Sequence, residues 1–304
     1  MTGPAPHPEN ARGALAAAAC YLFWGVVPLF WKRLSHLDSY EVIAHRGLWS
    51  LFVLLTLCAL RGELQAVLAV VREPKQALRN FLTALLLTSN WLLYVIGVNS
   101  GRVIECSLGY FLVPLVNVAA GRFVLGERLR PAQGVAIALA ALAVLAMVIE
   151  FGAVPWFALG LAATWGTYGL LRKRSKLGAL AGLASETLLV APIALAFLAV
   201  RFANGDGALS RGTSSDLVWL ASTGVVTVIP LLWFGYGAQR IRMTTMGLLQ
   251  YLSPSVQLAL GVYVYGEPFP ASRALCFAGI WAGLAIYTID NLLQQRRTAA
   301  LAVR

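Results

Sequence analysis

The chain has 304 residues, of which 59% are hydrophobic and only 12% charged, with a mean hydropathy of +0.73. Ordinary water-soluble domains carry roughly a quarter charged residues, so this composition excludes a soluble fold and calls for burial in a bilayer. The formal net charge of +11 does not indicate nucleic acid as a partner, because Lys and Arg fall between apolar runs and form no single basic stripe.

Crossing a hydrocarbon core of about 30 Å takes about 20 mainly apolar residues. By that measure the sequence predicts an all-α integral membrane protein of ten transmembrane helices. They lie near 13–31, 41–60, 79–98, 105–124, 131–149, 154–171, 180–200, 217–237, 244–264 and 271–290. A polar leader over 1–12 precedes them and a basic tail over 291–304 follows. The first apolar run continues through Trp24, Pro28 and Trp31 with no polar mature segment behind it, so it reads as a span and not a signal peptide.

The second span carries Glu41, His45, Arg46 and Trp49. Residues four apart share a helix face, so Glu41, His45 and Trp49 align while Arg46 points about 100° away from His45. Ionisable groups inside a span are costly. The cluster reads either as a proton-coupling or binding group, or as an ion pair that sets helix packing. The third span contributes Asn90, Trp91 and Tyr94. In the fourth, Tyr110, Pro114 and Asn117 fall on one stripe with Ser107. Pro114 lies mid-span and would free the carbonyl of Tyr110, which is tolerable only beside protein or a watery cavity. Glu105 opens this span and reads as a helix cap, whereas Gly126-Glu127 closes it. Gly suits a helix C-terminus and a carboxylate suits the start of the next helix, so this pair reads as a cap, with a gate as the alternative.

The sixth span holds Trp165 and Tyr168, and the seventh holds Glu186, with no basic residue within a helical turn. Its partner must come from another helix, or the carboxyl must carry a proton. Trp233 follows in the eighth span. The ninth repeats the polar stripe of the fourth as Gln250, Pro254 and Gln257, with Tyr251 alongside, and closes on Gly266-Glu267. Asp290, ending the tenth, reads as interfacial. The spacings Gly178 to Gly182 and Gly279 to Gly283 permit close helix approach within the monomer. Cys20, Cys58, Cys106 and Cys276 sit in apolar runs and read as packing residues.

The two halves match at an offset of about 140 residues. Pro114 with Gly126-Glu127 is answered by Pro254 with Gly266-Glu267, and Trp24-Gly25 with Lys32-Arg33 by Trp165-Gly166 with Lys173-Arg174. Five crossings leave the chain on the far side of the membrane, so repeats over 13–149 and 154–290 would be inverted, an arrangement of secondary transporters. The bias of Lys and Arg toward one set of loops, including Arg72, Lys75, Arg79 and Arg172 to Arg174, places both termini in the cytoplasm.

The runs Phe23-Trp24-Gly25, His45-Arg46 with Trp49-Ser50, Asn90-Trp91-Leu92-Leu93, Ser107-Leu108-Gly109-Tyr110-Phe111 with Pro114-Leu115-Val116-Asn117, and Leu125-Gly126-Glu127-Arg128 resemble the RarD proteins. So do Gln250-Tyr251 with Pro254, and Tyr265-Gly266-Glu267. RarD proteins form a group in the EamA branch of the drug/metabolite transporter superfamily. The resemblance runs from about residue 12 to Arg297. It implies a bacterial inner-membrane permease of two EamA repeats, associated by family name with chloramphenicol sensitivity, and leaves the cargo open.

These readings converge on an exporter of small organic metabolites or drugs working by alternating access. Its cavity would be lined by the polar stripes and by Trp24, Trp91, Tyr94, Trp165, Tyr168, Trp233 and Tyr251, rings suited to aromatic, amphipathic or cationic cargo. Glu41, His45 and Glu186 are the candidates for proton coupling. The alternative is a flippase for lipid or lipid-linked cargo. An enzyme is disfavoured, because the chain contains no HExxH, no GxSxG and no paired intramembrane aspartates. Nor does it contain a P-loop, and no cofactor or metal is expected. The expected partners are a small-molecule cargo and the bilayer. Ten spans enclose a cavity unaided, so a monomer is expected, with a weak homodimer as the alternative.

Overall fold

Apolar runs with no water to satisfy their backbone must close their hydrogen bonds within the segment, and every regular element among the described residues is helical. A computed structural model describes residues 11–100, 102–264 and 271–302. The expectations placed on most of the leader and on Gly266 and Glu267 lie outside the described residues.

The main helices are α1 (Ala11–Val26), α2 (Ser39–Arg61), α3 (Pro74–Asn99), α4 (Val103–Ala119), α5 (Pro131–Phe151) and α6 (Trp156–Arg174). They continue as α7 (Ala179–Ala203), α8 (Ser214–Arg240), α9 (Met243–Gln250), α10 (Leu252–Tyr263) and α11 (Ala271–Ala302). Among the described residues, seven segments are long and apolar enough to cross a membrane, covering α1 to α5, α7 and α8. The chain is thus an all-α, multi-pass membrane protein.

The three other expected spans depart from simple apolar rods for local reasons. The charges Arg172, Lys173 and Arg174 belong to the last turn of α6, three residues beyond its expected end. The expected ninth span is two helices meeting at Tyr251. Pro254 therefore sits in the first turn of α10 and not at a mid-helix kink, because the first turn has no intrahelical use for the missing N–H. The apolar part of α11 covers Ala274–Asp290.

Local chemistry sets the ends. The Asp38 carboxylate accepts the Glu41 N–H at 2.9 Å to start α2, and Gly62 ends it in the left-handed region. Thr213 and Asp216 form a reciprocal capping box at the start of α8. The loop near 61–78 contains a short amphipathic helix, Leu64–Arg72, laid against α7.

Packing joins N-terminal to C-terminal helices. The principal pairs are α5 with α11, α4 with α6, α2 with α7 and α8, α1 with α8 and α10, α3 with α6 and α7, and α4 with α9. Gly279 and Gly283 face Ala143 and Ala136 of α5, so this small-residue spacing serves packing within the chain. Arg130, just before α5, donates to Asp290 of α11 at 2.6 Å, which makes the residue expected at the interface one end of an ion pair. One core cluster gathers Tyr21, Trp165, Tyr168 and Phe234, with Trp165 5.0 Å from Phe234 and Tyr168 stacked on Phe234 at 5.9 Å. A second joins α5, α11 and Tyr251.

Candidate substrate cavity

A cavity of about 220 Å³ opens where helices of both halves meet. On α3, Asn90, Trp91 and Tyr94 present one face to it. On α9 and α10, Gln250, Pro254 and Gln257 do the same at spacings of four and three residues. Trp24 and Trp31 enter from the first span, Arg46 from α2, Tyr110 from α4, Trp165 from α6 and Thr227 from α8.

The amides expected to line a cavity also tie helices together. Asn90 Nδ2 donates to the Leu161 carbonyl at 3.0 Å and to Thr164 Oγ1 at 2.9 Å, joining α3 to α6. Asn117 Nδ2 donates to Gln250 Oε1 at 3.1 Å, joining α4 to α9. Gln257 Nε2 donates to the Trp24 carbonyl at 3.2 Å, joining α10 to α1.

Five residues expected at the cavity are not among those lining it. Asn117 commits its Nδ2 to Gln250, while its Oδ1 is buried without a partner. Pro114 packs against Gly247 of α9, where a Cβ would come within 2.6 Å of the proline carbonyl. Tyr168 turns to Glu186. Trp233 lies 37% exposed with its ring edge-on to Phe23, and Tyr251 is buried against α11 with its hydroxyl donating to the Phe111 carbonyl at 3.3 Å.

The α2 cluster divides, as the 100° between His45 and Arg46 requires. Glu41 turns away from the cavity, where its Oε1 accepts the Ala208 N–H at 2.6 Å and its carboxylate lies 3.8 Å from both Arg201 and His45. It thereby pins the segment 201–211 to α2. Arg46 turns inward. Its guanidinium lies 3.3 Å from the centroid of the Trp91 ring and 5.5 Å from that of Trp31. Among the described residues it has neither a carboxylate within ion-pair reach nor a hydrogen-bond acceptor, and its Nε is buried without a partner. Three more buried polar atoms without partners belong to lining residues, namely Tyr21 Oη, Trp165 Nε1 and Thr227 Oγ1.

Glu186 finds a partner on another helix, and that partner went unnoticed in the sequence. Arg172, read there as a loop cation, is 2% exposed and donates from Nη1 to Glu186 Oε1 at 3.3 Å. Tyr168 donates to Glu186 Oε2 at 3.3 Å, and Arg172 Nη2 reaches the carbonyls of Gly178 and Ala179 at 3.4 Å. The signal lay in spacing, because Leu161, Trp165, Tyr168 and Arg172 share the buried face of α6. Glu186 also edges a second, apolar groove of about 230 Å³ between α2, α3, α7 and α8, which shares Ile43, Trp91, Thr227 and Leu231 with the cavity.

Glu127 caps a helix, but not the next one. After a π-turn at Ala120–Val124 and Gly126 at φ +67°, its carboxylate reaches back to α9. There it accepts from the Met243 and Thr244 N–H groups at 2.6 and 3.0 Å and from Thr244 Oγ1 at 2.6 Å. Glu105 likewise accepts the Phe157 N–H of α6 at 2.7 Å and does not serve its own helix alone. Among the described residues no three His, Cys, Asp or Glu side chains converge as a metal site would require.

Comparison with known proteins agrees with this architecture. The model of the EamA-like transporter family matches residues 11–149 and again 153–289. Protein RarD of Streptomyces exfoliatus is 42% identical, over 96% of this chain and 93% of its own. A protein of Vibrio cholerae described as an uncharacterized transporter is 38% identical over 94% and 95% of the two chains. A protein of known crystal structure, 20% identical, superposes with a TM-score of 0.69 over 91% of this chain and 97% of its own, which shows a shared fold. The chain belongs to the EamA-like transporter family, in its RarD group, and is a multi-pass transporter of a bacterial membrane, not an enzyme.

Proposed function

We propose that the chain is a secondary transporter that exports small organic metabolites through the cavity between two inverted five-helix repeats, 13–149 and 154–290, alternately open to each side. The observation that carries this reading is the composition of the cavity wall, to which α1 to α4 and α6, α8, α9 and α10 all contribute. A cavity built from both halves changes its access when the halves rock. The packing pairs support the inverted repeat. Exchanging α1 with α6, α2 with α7, α3 with α8, α4 with α9 and α10, and α5 with α11 maps the principal pairs onto one another. At about 220 Å³ the cavity falls below the range of roughly 300–1,000 Å³ typical of drug-sized ligands, which favours a small metabolite over a bulky drug. Both termini are assigned to the cytoplasm of the inner membrane on the Lys/Arg bias, and the functional unit to the monomer.

The test is flux in liposomes carrying the purified protein. The panel is labelled chloramphenicol, aromatic and aliphatic amino acids and quaternary amines, with and without a pH gradient. Protein-dependent flux of any member supports the reading. Flux driven by the gradient and lost in Glu41→Gln or Glu186→Gln adds proton coupling, while indifference to both makes the protein a facilitator or exchanger. Silence across the panel and for an organic anion such as 3-phenylpropane-1-sulfonate overturns the reading in favour of a flippase, which the apolar groove beside the cavity would serve and which a lipid-scrambling assay would detect.

A further inference from the structure

A cavity wall can be read by its hydrogen-bonding sign. Arg46 is the one charged side chain among the described residues that line this cavity. A cation within a span is normally discharged by a carboxylate or by backbone carbonyls, because the apolar surroundings make an isolated charge costly. Arg46 has neither. The flat face of its guanidinium is taken by Trp91, which leaves the in-plane N–H groups, the ones that pair with a carboxylate edge-on, without an acceptor among the described residues.

The unpartnered atoms of the lining residues lie beneath the cavity surface. Arg46 Nε and Trp165 Nε1 can only donate, and the hydroxyls of Tyr21 and Thr227 can donate as well as accept. All four atoms are covered, so what the wall offers a cargo is the partly exposed guanidinium of Arg46, which calls for an acceptor of opposite charge. Beside aliphatic and amide side chains, the wall carries the rings of Trp24, Trp31, Trp91, Tyr94 and Tyr110 around the same space, and rings favour a flat apolar body. A cationic cargo, which the aromatic content alone would allow, meets the like charge of Arg46.

We infer that the cavity selects small organic anions, an aromatic or other planar body bearing a carboxylate or sulfonate, with Arg46 as the residue that receives the anionic group. The inference rests on the transport reading for its biological meaning, but binding tests it separately. Nothing in the wall distinguishes among anions of this class beyond size.

The experiment compares three probes of one shape, 3-phenylpropanoate, 3-phenylpropanamide and 3-phenylpropylamine, binding to the full-length protein in detergent by calorimetry. Flux in liposomes uses 3-phenylpropane-1-sulfonate, which stays ionised and does not leak through lipid. The expected result is carboxylate binding at least about tenfold tighter than amide, the size of one charge-assisted pair, with no binding of the amine. Arg46→Gln should abolish that ratio and Arg46→Lys should keep part of it, at unchanged elution and thermal stability. Equal affinity for the three probes, absence of carboxylate binding, or an unchanged ratio in Arg46→Gln overturns the inference. Should Arg46→Gln fail to fold, the wild-type ratio and Arg46→Lys still decide. Anion binding without flux upholds the anion site and counts against transport. Flux of amines or neutral compounds without anion preference does the reverse.

Discussion

Arg46 and Arg172 are the same residue type in the same apolar setting, and they are treated in opposite ways. Arg172 is sealed, with a carboxylate on one nitrogen, two backbone carbonyls on the other and 2% of its surface exposed. Arg46 is stacked on an indole and opens on a cavity, with no acceptor for its N–H groups among the described residues. A buried charge paired with a carboxylate and bonded to two carbonyls is committed within the chain and has little left to offer a ligand. A charge left without a partner at a cavity is free to meet a charge brought by a ligand, which is the role inferred for Arg46. The difference separates packing from binding better than burial or charge does.

The largest expected effect comes from breaking the sealed arginine. Arg172→Met leaves Glu186 as a buried carboxylate with Tyr168 as its one remaining donor, and removing one partner of a buried pair costs about 3–5 kcal/mol. The apparent Tm in detergent should fall steeply, and Arg172→Met with Glu186→Gln should recover most of the loss, because no uncompensated charge then remains. A double variant as unstable as the single one would mean that Arg172 acts through its carbonyl contacts and not through Glu186.

Next in size is Gly182→Ala. The guanidinium of Arg172 occupies the space a Cβ would fill at Gly182, so the substitution forces the arginine off its partner. Overpacking of this kind costs about 1–3 kcal/mol. Combined with Arg172→Met it should cost almost nothing further, and additive losses would place the strain elsewhere.

Glu127→Gln tests whether a sealed carboxylate follows the same logic as a sealed arginine. Its three accepted hydrogen bonds start α9, which belongs to the other half of the chain. Losing the charge at a helix N-terminus should cost about 1–2 kcal/mol, read as a lower Tm. An unchanged Tm would show that the backbone N–H groups of α9 are served equally well by a neutral amide.

The sequence was informative where the physics is local. Helix length against bilayer thickness placed the segments, since apolar runs such as 131–149 have no other way to satisfy their backbone. Of the two polar stripes, the one expected in the ninth span lines the cavity with Gln250, Pro254 and Gln257, whereas the one in α4 contributes Tyr110 and turns Pro114 and Asn117 toward α9. What distant parts of the chain decide was not legible. Arg172 looked like a loop cation because its neighbours are Lys173 and Arg174, and only the approach of α7 makes it internal. Glu127 precedes α5 in sequence yet serves α9 in space, because the turn through Gly126 reverses it. Tyr168, Trp233 and Tyr251 were indistinguishable from Trp24 and Trp165 by type and depth, and their neighbours on other helices decide which rings face the cavity.

The smallest expected change in stability carries the most weight for function. Arg46→Gln gives up a stacking contact with Trp91, a gain of roughly 0.5–2 kcal/mol where it is desolvated. It also removes a charge that nothing among the described residues neutralises, and the two effects oppose each other. The net change should lie within about 1 kcal/mol, visible as a Tm nearly equal to wild type, while preference for an anionic probe is lost. Arg172→Met should show the converse, a large fall in Tm with the carboxylate-to-amide ratio of the surviving folded protein unchanged. If Arg46→Gln instead destabilises as severely as Arg172→Met, the open arginine is a structural element whose partner forms only in the membrane, and the contrast between the two collapses.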